Sequence, residues 1–271
     1  MRRARPDLIV TGFRQRAAAV VAEDYALPCA TVCLRRGALR GMRLDGNARH
    51  LVRLASSARF DDTPIDSRVA VSGFLFHDSH PQAPGRGPSD ALLRFLGAEP
   101  FIALLPGSTP VTQATQYVRH HLDAAEALGL RLVVQRTAAL EGADVDAPHA
   151  FLADTLPHDW LLARVAAVIS PGRIGVVARA LRAGCPILAE PRTRDDHDHA
   201  RRLLALGVGA ALDPHGPDAT SVRRMLTERL LLPPVRERCA ALAAGITMED
   251  GSETAVDIIE RRARGHYPPG N

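Results

Sequence analysis

Between residues 91 and 213, short apolar runs alternate with longer amphipathic ones, and this alternation constrains the fold more than any other feature of the chain. FIALL (101–105), RLVVQ (131–135), HAFLAD (149–154), AAVIS (166–170), PILAE (186–190) and GAALD (209–213) have the length and side chains of buried strands. Between them, ALLRFLG (91–97), ATQYVRHHLDAAEALG (114–129), a short stretch around Trp160, VVARALRAG (176–184) and HARRLLALG (199–207) read as helices. Three terminal helices follow, over 221–231, 235–246 and 253–264. Strands alternating with helices predict an α/β fold with a Rossmann-like parallel sheet covered on both faces. Ligands of such sheets meet the loops beyond the C-terminal strand ends.

The N-terminal part is less regular. DLIV (7–10) and CATVCL (29–34) read as strands on either side of a helix over 14–26, and VAVSG (69–73) as a further short strand. Residues 35–66 are Arg-rich and irregular, with one helix expected near 48–55. HDSHPQAPGRGPSD (77–90) is the best linker. The expected division places a partial second α/β lobe and the irregular segment in 1–66, and the main domain in 67–271. If this lobe is truncated, as the family resemblance given below implies, strands 7–10 and 29–34 lack a neighbour on at least one side. An uncovered apolar strand edge needs a cover, so a homodimer or a partner protein is expected.

With 46% hydrophobic residues the 271-residue chain can bury a substantial core. It has no run of about 18 apolar residues, so no membrane span is expected. MRRARPDLIV lacks the apolar stretch of a secretory signal, which points to the cytoplasm. The net charge is +4, all 34 basic residues are arginine, and aromatics make up 4%. The arginines are scattered and no stacking platform is visible, which argues against nucleic-acid binding. Arginine without lysine, beside abundant Ala, Gly, Leu and Pro, matches the usage of GC-rich, actinobacterial genomes.

Cys29, Cys33, Cys185 and Cys239 are spread too thinly for a zinc site and read as buried, reduced thiols. RDDHDH (194–199) sets Asp195 and His199 four apart, but no histidine pair has helical i, i+4 spacing. Acids at a helix start are favoured by its dipole, and no metal is expected. His120, His121 and His149 lie on or beside core elements and read as structural. No HExxH, GxSxG or Walker loop is present.

ISPGRIGVVARALRAGCPI (169–187) has the shape of a phosphate-cradling loop: a strand end, Gly172 and Gly175, then a helix. Ile174, Val176 and Val177, which open that helix, carry no side-chain donors.

The stretch 156–212 resembles the donor-binding signature of family-1 glycosyltransferases, most of all the bacterial natural-product and sterol types. The likeness rests on PHDWL, RVAAV, ALRAGCP and ARRLLALGVG, joined by SGFLFHD and PFIALLPGS upstream, and covers about residues 67–264. It implies a GT-B fold, two Rossmann-like domains facing across a cleft. Residues 67–271 would then be the C-terminal, donor-type domain. Residues 6–34 resemble the last βαβ piece of the N-terminal, acceptor-binding domain, which makes the chain a truncated relative. The family's catalytic histidine has no counterpart here, so no catalytic residue is assigned.

The resemblance also implies a set of binding residues. Ser108 and Thr109 would approach the phosphates, although an N-cap role is an equal alternative. Leu156 and Pro157 would meet a nucleobase through their backbone. Ser170, Gly172, Arg173 and Gly175 would form the diphosphate loop. Asp195 and Asp196 would face the sugar, Asp196 standing where the family has Gln. Ser170 and Pro171 stand at the family's two His positions, and Val176 and Val177 at its threonines. Arg173 replaces a glycine and reads either as a phosphate clamp or as a solvated loop residue. The backbone cradle persists while its side-chain donors are gone. A UDP- or TDP-sugar is therefore possible but disfavoured, and no cofactor is required. The expected function is a glycosyltransferase-like protein repurposed as a small-molecule enzyme or auxiliary protein of bacterial natural-product biosynthesis. Its small-molecule ligand would lie in the inter-lobe cleft. The alternatives are an active transferase completed by a second chain, and a non-catalytic partner of a full-length one.

Overall fold

Strand pairing divides the chain into two parallel sheets. The structure, a computed structural model, describes residues 6–12, 15–34, 50–61, 69–77, 87–213 and 218–264. One compact unit contains residues 1–78 and 246–271, the other residues 79–245. The stretch 77–90 read as a linker spans the boundary between them.

In the first unit, β1 (Ile9–Gly12) leads through α1 (Arg16–Asp24) to β2 (Cys29–Cys33), then to β3 (His50–Leu54) and β4 (Val69–Val71). The order is β1-β2-β3-β4, with every pair parallel. Three expectations change here. Residues 50–54 form a strand, not a helix: HLVRL is too short for periodicity to decide, and pairing on both sides by β2 and β4 settles it. β2 lies between two neighbours, so CATVCL is an interior strand and only β1 of the two expected edges is terminal in the sheet. Cys29, Ala30 and Cys33 are accordingly buried. Finally, β4 pairs with β3, so the first sheet continues past residue 66 and is larger than a βαβ piece.

The second unit runs α2 (Asp90–Leu96), β5 (Phe101–Leu104), α3 (Ala114–Glu126), β6 (Arg131–Gln135), β7 (Ala150–Ala153), α4 (His158–Leu162), β8 (Val168–Ser170), α5 (Ile174–Arg182), β9 (Ile187–Ala189), α6 (Arg194–Leu206) and β10 (Gly209–Ala211). α7 (Ala219–Met225), a π turn (Leu226–Leu230) and α8 (Pro233–Thr247) follow. The six strands lie in the order β7-β6-β5-β8-β9-β10. In sequence terms this is 3-2-1-4-5-6, the doubly wound order whose direction reverses between the first and fourth strands, here β5 and β8. Strands buried on both faces read as continuous apolar runs. Ile102, Leu104, Leu132, Val134, Ile169 and Leu188 fill the sheet, and Val118, Leu122, Val222 and Leu226 pack onto it from helices.

α9 (Gly251–Ala263) returns to the first unit. Ser57 Oγ donates to Glu249 Oε1 at 2.8 Å just before that helix. All four cysteines are free and buried. Among the described residues no helix is long and apolar enough to cross a membrane.

Candidate functional site

The reversal of strand order places two loops side by side at the C-terminal ends of β5 and β8, Leu105–Pro110 and Pro171–Arg173. Leu105 N donates to Ile169 O at 2.9 Å and holds the strand ends in register. Gly107 has φ +74°, and a Cβ there would meet Pro171 Cγ at 3.6 Å. The loops are thus in near contact.

Arg173 ties them together. Its Nη2 donates to Thr109 Oγ1 at 2.8 Å, and its Nε lies 3.3 Å from Asp196 Oδ1. Asp196 is fully buried. Its Oδ2 accepts from Thr193 N at 2.9 Å and Arg192 N at 3.3 Å, while Thr193 Oγ1 accepts from Asp196 N. This capping box starts α6 at Arg194, five residues before the helix read from the sequence, and Gly207 ends it at φ +66°. Asp195 and Asp196 form its acidic first turn. Asp196 Oδ1 has no hydrogen-bond partner among the described residues, so its charge rests on the Arg173 ion pair.

The phosphate-loop backbone is likewise turned inward. Ser170 is fully buried, and its Oγ accepts from Gly172 N at 3.2 Å. Gly172, at φ +91°, offers its carbonyl to His199 Nδ1 at 2.9 Å. A Cβ at Gly172 would approach the Asp196 carbonyl to 3.4 Å, so the left-handed backbone and the close approach both favour glycine. Gly175 is exposed, and a methyl there would meet nothing within 4 Å.

Beneath the Leu105–Pro110 loop lies a charged network that sequence reasoning missed. Glu190, buried at the end of β9, accepts from Tyr117 Oη and from His121 Nε2, the latter at 2.7 Å. His121 Nδ1 donates to the Tyr117 carbonyl at 2.7 Å. Both ring nitrogens thus face acceptors, an arrangement that favours the imidazolium when Glu190 is ionised. Burial pulls the His121 pKa down, but the Glu190 carboxylate and the Tyr117 carbonyl outweigh it and leave it raised. Burial likewise pushes Glu190 up, and His121, Tyr117 and Arg192 together hold it below its ordinary value. Burial and the Glu190 charge push Tyr117 well above the usual phenol range. Arg192 closes the network. Its Nη1 donates to Pro106 O at 3.2 Å and Thr109 O at 3.1 Å, and its Nη2 to Tyr117 Oη at 3.1 Å. The loop is therefore held by ionic and hydrogen-bonded groups. Two signals were available: a glutamate ending the apolar run PILAE, and Tyr117 with His121 one helical turn apart.

Thr109, Ser170, Gly172, Arg173 and Asp196 come together across β5 and β8. Ser108 is exposed on the same loop, and Asp195 is half-buried at the start of α6. Leu156 is buried and Pro157 caps α4 beyond β7, two strands from β5. Trp160 is half-buried with the Arg164 guanidinium 4.8 Å from its ring centroid. His158 Nε2 donates to Gln135 Oε1 at 3.1 Å; burial and Arg179 lower its pKa against the pull of Asp159. Among the described residues no group of three or more His, Cys, Asp or Glu side chains is arranged to hold a metal.

Comparison with known proteins places this geometry. Over 211 residues the chain is 32% identical to O-mycaminosyltylonolide 6-deoxyallosyltransferase of Streptomyces fradiae, covering 73% of this chain and 47% of that protein. Over 202 residues it is 31% identical to vancomycin aglycone glucosyltransferase of Amycolatopsis orientalis, covering 74% and 47%. The crystal structure of the kitacinnamycin glycotransferase superposes with a TM-score of 0.76 at 17% identity, over 95% of this chain and 76% of that one. The chain spans about half the length of these two curated relatives. No family model matches it.

Proposed function

We propose that this chain, a relative of the family-1 glycosyltransferases with the GT-B fold, is a repurposed small-molecule enzyme or auxiliary protein of natural-product biosynthesis whose diphosphate site has degenerated. One observation carries the reading: the polar side chains of Ser170 and Arg173, at and just after the end of β8, already have partners within the protein. Ser170 Oγ is buried against Gly172 N, and the Arg173 guanidinium is engaged by Thr109 and Asp196. The next side chains, Ile174, Val176 and Val177, have no donor to offer. Two lost donors to a charged diphosphate cost about 1.5–3 kcal/mol each, on the order of a hundredfold or more in affinity.

No nucleotide sugar is required as cofactor in this reading, and the ligand is another small molecule. The link to natural products rests on the relatives, whose names give O-mycaminosyltylonolide and the vancomycin aglycone as the molecules they glycosylate. Calorimetric titration with UDP-glucose and TDP-glucose tests it. Dissociation constants weaker than micromolar are expected. Sub-micromolar binding, or sugar transfer by the purified chain alone, overturns the reading.

A second reading keeps the transferase active, completed by another chain. It is favoured by Ser108, exposed on a loop that Arg192 holds in place. Transfer that appears only on mixing with a second protein distinguishes it.

A further inference from the structure

We infer that Arg173 is an intramolecular strap that closes the crevice at the point where the strand order reverses, and that it excludes an anionic ligand instead of gripping one. The inference rests on the degenerate-loop reading above and names the residue that enforces it. β5 and β8 are the strands between which the order reverses, and in doubly wound sheets the crevice at that point is the ligand's entrance. Here the guanidinium spans it. One end bonds Thr109 on the β5 side at 2.8 Å, and the other pairs with Asp196 at 3.3 Å.

The two anchors differ in kind. Asp196 is fully buried and fixed by the α6 capping box, so it cannot follow the arginine outward. Thr109 is itself fixed, its carbonyl accepting from Arg192 Nη1 at 3.1 Å. Pro171 adds an apolar stop against Gly107. An anion that takes the Nε–Nη2 edge must compete with the Asp196 carboxylate for the same cation, and if it wins, it leaves that buried carboxylate with only the backbone N–H groups of Arg192 and Thr193. Stranding a buried charge is among the costliest changes in a protein interior. A loop arginine that was merely solvated would carry no such linkage. A clamp would have to offer the ligand the Nε–Nη2 edge that Asp196 and Thr109 hold here. Lysine could not replace it as a strap, because an ammonium presents a point charge where the two anchors need a planar fork.

The test is calorimetric titration of the full chain with UDP, comparing wild type with a double variant and with Thr109→Val. Arg173→Gly, made together with Asp196→Asn so that no unpaired carboxylate is left to repel UDP, removes the whole strap. Thr109→Val removes one anchor and keeps the Arg173–Asp196 pair, so it decides the matter if the double variant does not fold. The strap predicts a gain in affinity of about tenfold or more over wild type on release, the scale of one charge-assisted hydrogen bond. Unchanged or weaker binding by the folded variants overturns the inference, and weaker binding by the double variant identifies a clamp. Tight binding by the wild-type chain would instead strike at the degenerate-loop reading, whatever the variants do.

Discussion

Glu190 and His121 form an ion pair at 2.7 Å in the core of the second unit, with His121 fully buried. His121 titrates above its ordinary 6.5. Folding thus favours its charged form: the contribution is complete below pH 6.5 and is lost as pH rises through the folded value. Glu190 titrates below its ordinary 4.5, so its contribution is complete above pH 4.5 and is lost as pH falls through the folded value. The two overlap between 4.5 and 6.5. His158, whose pKa is lowered, acts with the opposite sign to His121. The difference between wild type and Glu190→Gln isolates the pair. Urea midpoints of wild type and variant should run parallel from pH 5.5 to 6.5, and above that the wild-type midpoint should fall relative to the variant; curves parallel throughout would contradict the pairing.

Replacing Glu190 with leucine removes the counter-charge of two cations at once. Truncating one partner of a buried pair costs about 3–5 kcal/mol. Denaturant unfolding at pH 6 should show a loss of this size. A loss below about 1 kcal/mol, the range of an exposed pair, would mean that water reaches the site.

Two glycines separate intrinsic helix preference from packing. Gly175 lies in the first turn of α5, where an added methyl meets nothing within 4 Å, so Gly175→Ala should gain up to about 1 kcal/mol. Gly251 opens α9, where the same methyl would collide with the Phe74 carbonyl oxygen, a backbone atom that cannot swing aside. Gly251→Ala should lose about 1–3 kcal/mol by overpacking. Thermal unfolding of the two variants gives the two signs.

A homodimer is expected through the β1 edge. β1 is terminal in its sheet with Val10 53% exposed, and α1 beside it exposes Val20, Val21 and Tyr25, the last 74% exposed. Light scattering at micromolar concentration should report two 29.1 kDa chains. Val20→Asp with Tyr25→Asp should give one, and a wild-type monomer would refute the expectation.

The central strands of the second unit, β5, β8 and β9, are legible because they are buried along their whole length and read as unbroken apolar runs. PILAE and AAVIS carry the pattern without ambiguity. β3 was not legible: five residues cannot display a period, and its identity comes from two flanking strands. The start of α6 was legible in principle, since Thr193 and Asp196 have capping-box spacing, but the aspartates were read toward a ligand. Arg173 shows the limit most plainly. Its residue type was compatible with a clamp or a solvated side chain, and only the positions of Thr109 and Asp196, 64 residues before and 23 after it, reveal the bridge. The Glu190 network has the same cause: its members lie on α3, β9 and the turn after it, and meet only through the fold.

The hydrogen bond from Ser57 to Glu249 joins residues 192 positions apart, and the whole of 79–245 lies between the two parts of the first unit. This has a consequence for synthesis on the ribosome. Domains fold largely as they emerge, so the six-stranded sheet has all of its strands outside the exit tunnel before α9 appears. The first unit must wait: its Ser57 and Phe74 meet no Glu249 or Gly251 until the chain beyond the second unit has been made.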